Sequence, residues 1–139
     1  MKLKVKKLLP HARLPSKAYS GDLGFDLYAA EDCQVPAAGQ IAVSTGIAVD
    51  MPEGWGGMLK DRSSMALKRI YLSAGVIDNG YRGEIKAVLR NESSEPYIIK
   101  AGDKVAQMVP LPVTDWDVQA VSELEETHRN SGGFGSSGS

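Results

Sequence analysis

The sequence predicts an all-β domain, a barrel or jelly-roll sandwich with one short helix and a mobile C-terminal tail. Three observations lead there. Short apolar runs alternate with polar or small residues at the strand period of two. Turn strings separate them closely: P-A-A-G at 36–39, P-E-G-W-G-G at 52–57, D-N-G at 78–80 and A-G-D-K at 101–104. One stretch departs from the pattern, where good helix formers follow a pair of serines.

The elements follow in order. Leu3 and Val5 alternate with Lys2, Lys4 and Lys6, which suits an edge strand guarded by charge. Residues 40–49 read as one strand, with Ile41, Val43, Thr45, Ile47 and Val49 on one face and Ala42, Ser44, Gly46 and Ala48 on the other. After Asp61-Arg62-Ser63-Ser64, the run Met65–Arg69 reads as the helix, with a serine as its cap. Ile85, Ala87 and Leu89 alternate with Glu84, Lys86 and Arg90, and Tyr97–Ile99 and Val105–Val109 supply two more strands. There is no repeat and no interdomain linker. Residues 1–128 are expected to form one domain, and 129–139, R-N-S-G-G-F-G-S-S-G-S, a flexible tail.

The 139 residues suffice for one hydrophobic core. Their 16 basic and 17 acidic side chains nearly cancel, so nothing marks the chain for duplex DNA or an anionic membrane. A small polyanion needs only a few placed cations and stays open. Cys33, the lone cysteine, has no internal disulfide partner, which points to a reducing compartment. The basic start has too short an apolar stretch for a signal peptide, and no run reaches membrane-spanning length. The expectation is a soluble cytoplasmic protein, or one of the host cytoplasm or nucleus if the source is viral.

Five stretches can carry chemistry. A-G-V-I-D-N-G-Y-R-G-E at 74–84 reads plainly as strand, turn and strand, yet it sets Asp78 three residues from Tyr81. A carboxylate there can activate water, and a ring beside it can pack on a sugar. Aspartate, with an ordinary pKa of about 3.9, is ionised at neutral pH and available as a base. D-R-S-S at 61–64 joins a guanidinium, two hydroxyls and helix-start N–H groups, an anion-binding set beyond what a plain cap needs. In A-Y-S-G-D-L-G-F-D-L-Y-A-A at 18–30, Asp22 reads as a solvated turn residue, while Asp26 lies between Phe25 and Leu27 and can serve a hard cation. In G-D-K-V-A-Q-M-V at 102–109, alternation puts Gln107 on the face of Val105 and Val109. That amide needs partners if the face is core and is ordinary if it is solvated. The tail offers glycines and serines for phosphate and Phe134 for stacking on a base, although G-S-S-G-S also reads as a cloning remnant.

Taken together, in order and spacing, these strings resemble the five motifs of the trimeric dUTP pyrophosphatase (dUTPase) family from about Tyr19 to Ser137. F-D-L-Y-A-A is similar to the first, R-S-S-M-A to the second, A-G-V-I-D-N-G-Y-R-G-E to the third, G-D-K-V-A-Q to the fourth and R-N-S-G-G-F-G-S-S-G to the fifth. The resemblance implies a jelly-roll-like distorted β-barrel. It implies a homotrimer with shared active sites that uses Mg2+ to cleave dUTP into dUMP and pyrophosphate, keeping uracil out of DNA and supplying dUMP for dTMP synthesis. Asp78 would hold and activate the water that attacks the α-phosphorus. Tyr81 would lie under the deoxyribose and leave no room for a 2′-hydroxyl, and a tight hairpin around Gly75, Val76 and Ile77 would read uracil. Arg62, Ser63 and Ser64 would hold the triphosphate from a neighbouring subunit, with Gln107 assisting. Asp26 would orient the magnesium shell through water. Arg129, Phe134, Gly135 and Ser136 would close over the substrate from a third subunit.

The match departs from the family at two places. Asn130 follows Arg129 where the family has glycine, which implies slower or looser closure of the tail. Ser73 also stands where relatives often have glycine. A dCTP deaminase and a non-catalytic nucleotide-binding module are the rival readings. Each would need a different constellation around Asp78, or would tolerate its loss.

Overall fold

Alternation of buried and exposed residues builds the fold seen in the computed structural model, which describes residues 1–138. Eleven strands and one helical turn follow in order: β1 (Lys4–Lys7), β2 (Phe25–Tyr28), β3 (Cys33–Val35), β4 (Gln40–Ser44), β5 (Ile47–Asp50), β6 (Trp55–Lys60), α1 (Ser63–Ala66), β7 (Ile70–Ser73), β8 (Val76–Ile77), β9 (Lys86–Asn91), β10 (Tyr97–Ile99) and β11 (Lys104–Pro112). Three antiparallel pairs are nested: β4 with β9, β3 with β10 and β2 with β11. This is the winding of a jelly roll, an extended hairpin folded over on itself. β6 takes the other edge of β11 and also pairs with β8, while β7 takes the other edge of β9. β1 pairs only with β5, as its lysine-guarded edge suggested.

The inward residues fuse into one core. Leu27, Val43, Ile70, Ile85, Leu89 and Met108 are each at most 2% exposed. Asn91, wholly buried, is a polar member that alternation does not flag. Its amide nitrogen donates to Val35 O (3.1 Å) and Glu95 O (2.7 Å), and its oxygen accepts from Ser93 N (2.9 Å), so nothing is left unpaired.

Three expectations are corrected. Residues 40–49 are two strands in different sheets, because Gly46 turns the chain at φ +68°. A Cβ on Gly46 would lie 2.9 Å from that of Ala12, so the bend requires glycine for space as well as conformation. P-E-G-W-G-G contains the start of β6, since Gly56 and Gly57 pair with Leu111 and Pro110. Met108 packs directly on Gly57, with Sδ 3.0 Å from where a Cβ would stand, so a side chain there would have to displace it. The helix begins earlier than expected, at Ser63. Its N-cap is Arg62, in extended conformation and with no side-chain cap, and a left-handed Arg69 (φ +64°) ends the turns that follow.

Candidate active site

The string 74–84 is held open as a cavity wall. Ala74 (φ +62°) and Gly75 (φ +123°) swing the chain out of β7, and Val76–Ile77 then pair with Met58 and Gly57 of β6. Leu59 N donates to Gly75 O at 2.7 Å. A Cβ on Gly75 would come within 2.9 Å of Leu59 Cβ, so only glycine lets the strands close. The expected hairpin at Gly75, Val76 and Ile77 is therefore a crossover: β7 and β8 lie in different sheets and share no ladder. The left-handed residues fall after Ser73, which is an ordinary strand residue.

Buried Ile77 anchors the segment and leaves Asp78 exposed beyond it. The turn is braced on both sides. Tyr81 N donates to Asp78 O (3.1 Å), and Asn79 Nδ2 donates to Pro52 O (2.9 Å) and Trp55 O (2.7 Å). Gly75, Val76, Ile77, Asp78, Tyr81, Glu84 and Lys86 line a cavity of about 680 Å³. Among the described residues nothing pairs with the Asp78 carboxylate, whereas Glu84 is engaged by Ser44, Gly46 and Lys86. Of the cavity's two carboxylates, Asp78 alone is free to act as a base.

A second group forms where β2, β11 and β6 run side by side. A bulge between Lys104 and Ala106 resets the alternation of β11, so Val105, Ala106 and Met108 are buried and Gln107 faces away from the core. Gln107 registers with Asp26 on one side and Lys60 on the other. Its Nε2 donates to Asp61 O at 2.9 Å, tying β11 to the D-R-S-S segment, and Gly24 gives it room. Asp61 in turn accepts from Leu72 N at 2.8 Å. Arg62 Nη1 reaches Lys104 O at 3.4 Å, and Ser63 and Ser64 are exposed. Asp26 is four-fifths buried and pairs with Lys104 Nζ at 3.0 Å. Asp22 closes a local turn by accepting from Tyr19 N, as a turn residue should.

The tail is the third group. His128, Arg129 and residues 132–137 curl around an open cavity of about 710 Å³. Asn130 adopts φ +46° and exchanges two hydrogen bonds with Thr127: Thr127 N to Asn130 Oδ1 (2.7 Å) and Asn130 N to Thr127 Oγ1 (3.0 Å). Asparagine thus takes the left-handed conformation that glycine would, and adds a clasp. Arg129 Nε donates to Gly132 O (2.6 Å), and Phe134 is fully exposed. Ser139 lies outside the described residues.

Within one chain, then, the structure joins Gly75, Val76, Ile77, Asp78 and Tyr81, and separately joins Asp26, Arg62 and Gln107. The first cavity is lined by none of the second group and by none of the described tail residues. Sequence reasoning missed Asn79 and Lys104 as braces, because a turn string and a surface lysine reveal nothing of their partners. Cys33 is no rival nucleophile: burial, then the charges of Asp32 and Glu31, push its thiol pKa up.

The profile of the dUTPase family matches residues 10–138. The chain belongs to the dUTPase family. It is 48% identical over 137 residues to a deoxyuridine 5′-triphosphate nucleotidohydrolase of Paramecium bursaria Chlorella virus 1, covering 98% of this chain and 97% of the relative. The Hydrogenobaculum sp. protein of the same name is 46% identical, with 99% of each chain covered. Among solved structures, Staphylococcus bacteriophage 80alpha dUTPase with dUPNHPP superposes with a TM-score of 0.92 at 29% identity, over 99% of both chains. A mutant dUTPase of phage phi11 of S. aureus, described for its coordination of a structural Mg(II) ion, gives 0.83 at 27% identity, over 91% of this chain and all of the other. The dUTPase fold thus accounts for the nested ladders.

The donor set fits one kind of metal. Among the described residues no three His, Cys, Asp or Glu side chains converge. A bare cation would find no cage here, and Asp26 already has Lys104 as counter-ion. Mg2+ keeps several of its waters and is commonly bound through one or two carboxylates together with substrate phosphates, so a single Asp26 facing a triphosphate would suit it.

Proposed function

We propose that this member of the dUTPase family hydrolyses dUTP to dUMP and pyrophosphate, with Asp78 as the general base. The observation that carries the reading is the unpaired Asp78 carboxylate, fixed at the rim of the cavity that also holds Tyr81 and the backbone of Gly75, Val76 and Ile77. Asp78 takes a proton from a water as its oxygen attacks the α-phosphorus. The bond from that phosphorus to the oxygen bridging toward the β-phosphate breaks, and pyrophosphate leaves. Tyr81 walls the sugar. Arg62, Ser63, Ser64 and Gln107 hold the triphosphate; Asp26 would be the residue that holds the magnesium. Magnesium, when bound with the substrate, neutralises phosphate charge. Arg129, Phe134, Gly135 and Ser136, in the segment from 129 onward, close over the site.

The three groups act together if they come from different copies, in a homotrimer. Two features support association between copies. Residues 113–126 carry five acidic side chains and no lysine or arginine, and every one is exposed, Trp116 by 81%. β1, with Lys4, Lys6 and Lys7, keeps one edge unpaired. The balanced charge and unpaired Cys33 support a cytoplasmic setting.

The test is a panel of dUTP, dCTP, dTTP and UTP with magnesium, products identified. dUTP should be turned over to dUMP by orders of magnitude in preference, and chelation should stop it. Deamination of dCTP, or comparable turnover of UTP, would overturn the assignment. Light scattering should give about three times the 14.9 kDa chain mass. Mixed trimers of Asp78→Asn chains and chains cut after His128 should regain activity that neither has alone.

A further inference from the structure

The segment between Tyr81 and Ile85 has no regular structure, yet it is densely tethered. Tyr81 Oη donates to Glu84 O at 3.0 Å. The Glu84 carboxylate, 22% exposed, accepts through Oε2 from Ser44 Oγ and from Gly46 N (2.9 Å). Its other oxygen lies 3.8 Å from Lys86 Nζ. One residue on, Ile85 O accepts from Thr45 Oγ1 (2.5 Å) and Ile85 N donates to Ile47 O (2.9 Å). Both residues are thereby stitched to the bend between β4 and β5. Beneath the Tyr81 ring lies Gly83, where an added Cβ would stand 2.3 Å from Tyr81 Oη and 2.5 Å from Cζ. Gly83 has no left-handed φ, so its backbone suits any residue and only the ring demands glycine.

We propose that Gly83 and Glu84 are specificity-determining positioning residues: they form the seat that fixes the Tyr81 ring, and through it the exclusion of a ribose 2′-hydroxyl. The proposal rests on the reading of Tyr81 as the sugar wall. A ring with two rotatable bonds excludes one hydroxyl only if it cannot swing aside. Gly83 lets the ring lie flat on the chain, the hydroxyl bond to Glu84 O pins its far end, and the Glu84 carboxylate anchors that carbonyl to the scaffold. Losing the anchor frees the ring without removing it, so selectivity fails before catalysis does.

The experiment measures kcat/KM for dUTP and for UTP in Gly83→Ala, Glu84→Ala, Glu84→Gln and Tyr81→Ala, with thermal midpoints alongside. Gly83→Ala must push the tip of a side chain, which moves more easily than backbone, so the fold should survive. The ratio of dUTP to UTP should fall by about tenfold or more in Gly83→Ala and Glu84→Ala, with UTP turnover unchanged or raised. Glu84→Gln keeps an oxygen for Ser44 and Gly46 and should restore the ratio to within about threefold of the parent. Should Glu84→Ala fail to fold, Gly83→Ala decides. A proportional loss toward both nucleotides, with the ratio intact, would show a merely structural role and overturn the proposal. If Tyr81→Ala loses selectivity while Gly83→Ala and Glu84→Ala retain it, the seat alone is refuted. An unchanged ratio in Tyr81→Ala refutes the sugar wall and the seat together.

Discussion

Residues 74–86 and residues 127–138 are both largely irregular, and both use left-handed backbone at non-glycine positions, Ala74 in the first and Asn130 and Phe134 in the second. They differ in what holds them. The first is bonded to Pro52, Trp55, Leu59, Ser44 and Gly46, all distant in sequence. Among the described residues the second is bonded only to itself, in turns closed by Gly132 N to Arg129 O, Ser136 N to Gly133 O and Gly138 N to Gly135 O. One is part of the scaffold; the other is a shape carried at the end of an exposed arm. A wall that discriminates must be stiff, whereas a segment that closes over substrate must also let product leave.

That contrast can be broken or sharpened by three substitutions and one truncation, strongest first. Asp78→Asn keeps the braced turn but removes the base, and hydrolysis should fall by about 10²- to 10⁴-fold. Binding of a non-hydrolysable dUTP analogue, followed by calorimetry, should change little. Near-normal turnover would leave the reaction without its base, since Glu84 is already committed. Cutting the chain after His128 should leave the thermal midpoint where it was, because among the described residues no tail bond reaches the barrel. Activity should nevertheless drop about 100-fold or more, as the triphosphate loses its positioning contacts. Full activity in the truncated protein would return the tail to the status of a linker. Phe134→Ala should cost roughly 5- to 150-fold in kcat/KM, the worth of one base–aromatic stack. Asn130→Gly restores the residue usual in the family and removes the clasp with Thr127. The added freedom should cost about 0.5–1 kcal/mol, read as a two- to fivefold rise in KM at unchanged kcat. A lower KM would mean that the clasp hinders closure, as the sequence alone suggested.

Much of this was legible in the sequence, and the exceptions share a cause. The alternation of Ile85, Ala87 and Leu89 located β9, and the third motif located the cavity, because both signals are local. Gly46 looked like one more small residue on a strand face. Its role as a bend depends on Ala12, which no window around residue 46 contains. Gln107 was assigned its face by a period that the bulge at Lys104–Ala106 interrupts. The sequence marked Asp78 and Tyr81 as a pair but said nothing of what steadies them, since Ser44, Thr45 and Asn79 act through partners brought in by the fold. Asn91 had no signature at all. Chemistry-bearing residues were readable where they stand in a string, and their supports were not, because supports come from elsewhere in the chain.

The nested ladders have a kinetic consequence. β4 and β9, the innermost rung, register Ser44 with Lys86, so the first pairing must close a long loop before any outer rung can form. Once it exists, β3 meets β10 and β2 meets β11 at the end of short connections, and the roll zips outward. Chains dominated by such distant pairings fold over roughly milliseconds to seconds, far slower than helical bundles of the same size. Truncating Val43 or Leu89 should therefore slow refolding. Truncating Leu27 or Met108, which join last, should chiefly hasten unfolding. Stopped-flow refolding from urea would separate the two, and the winding of the roll would be read as an order of events in time.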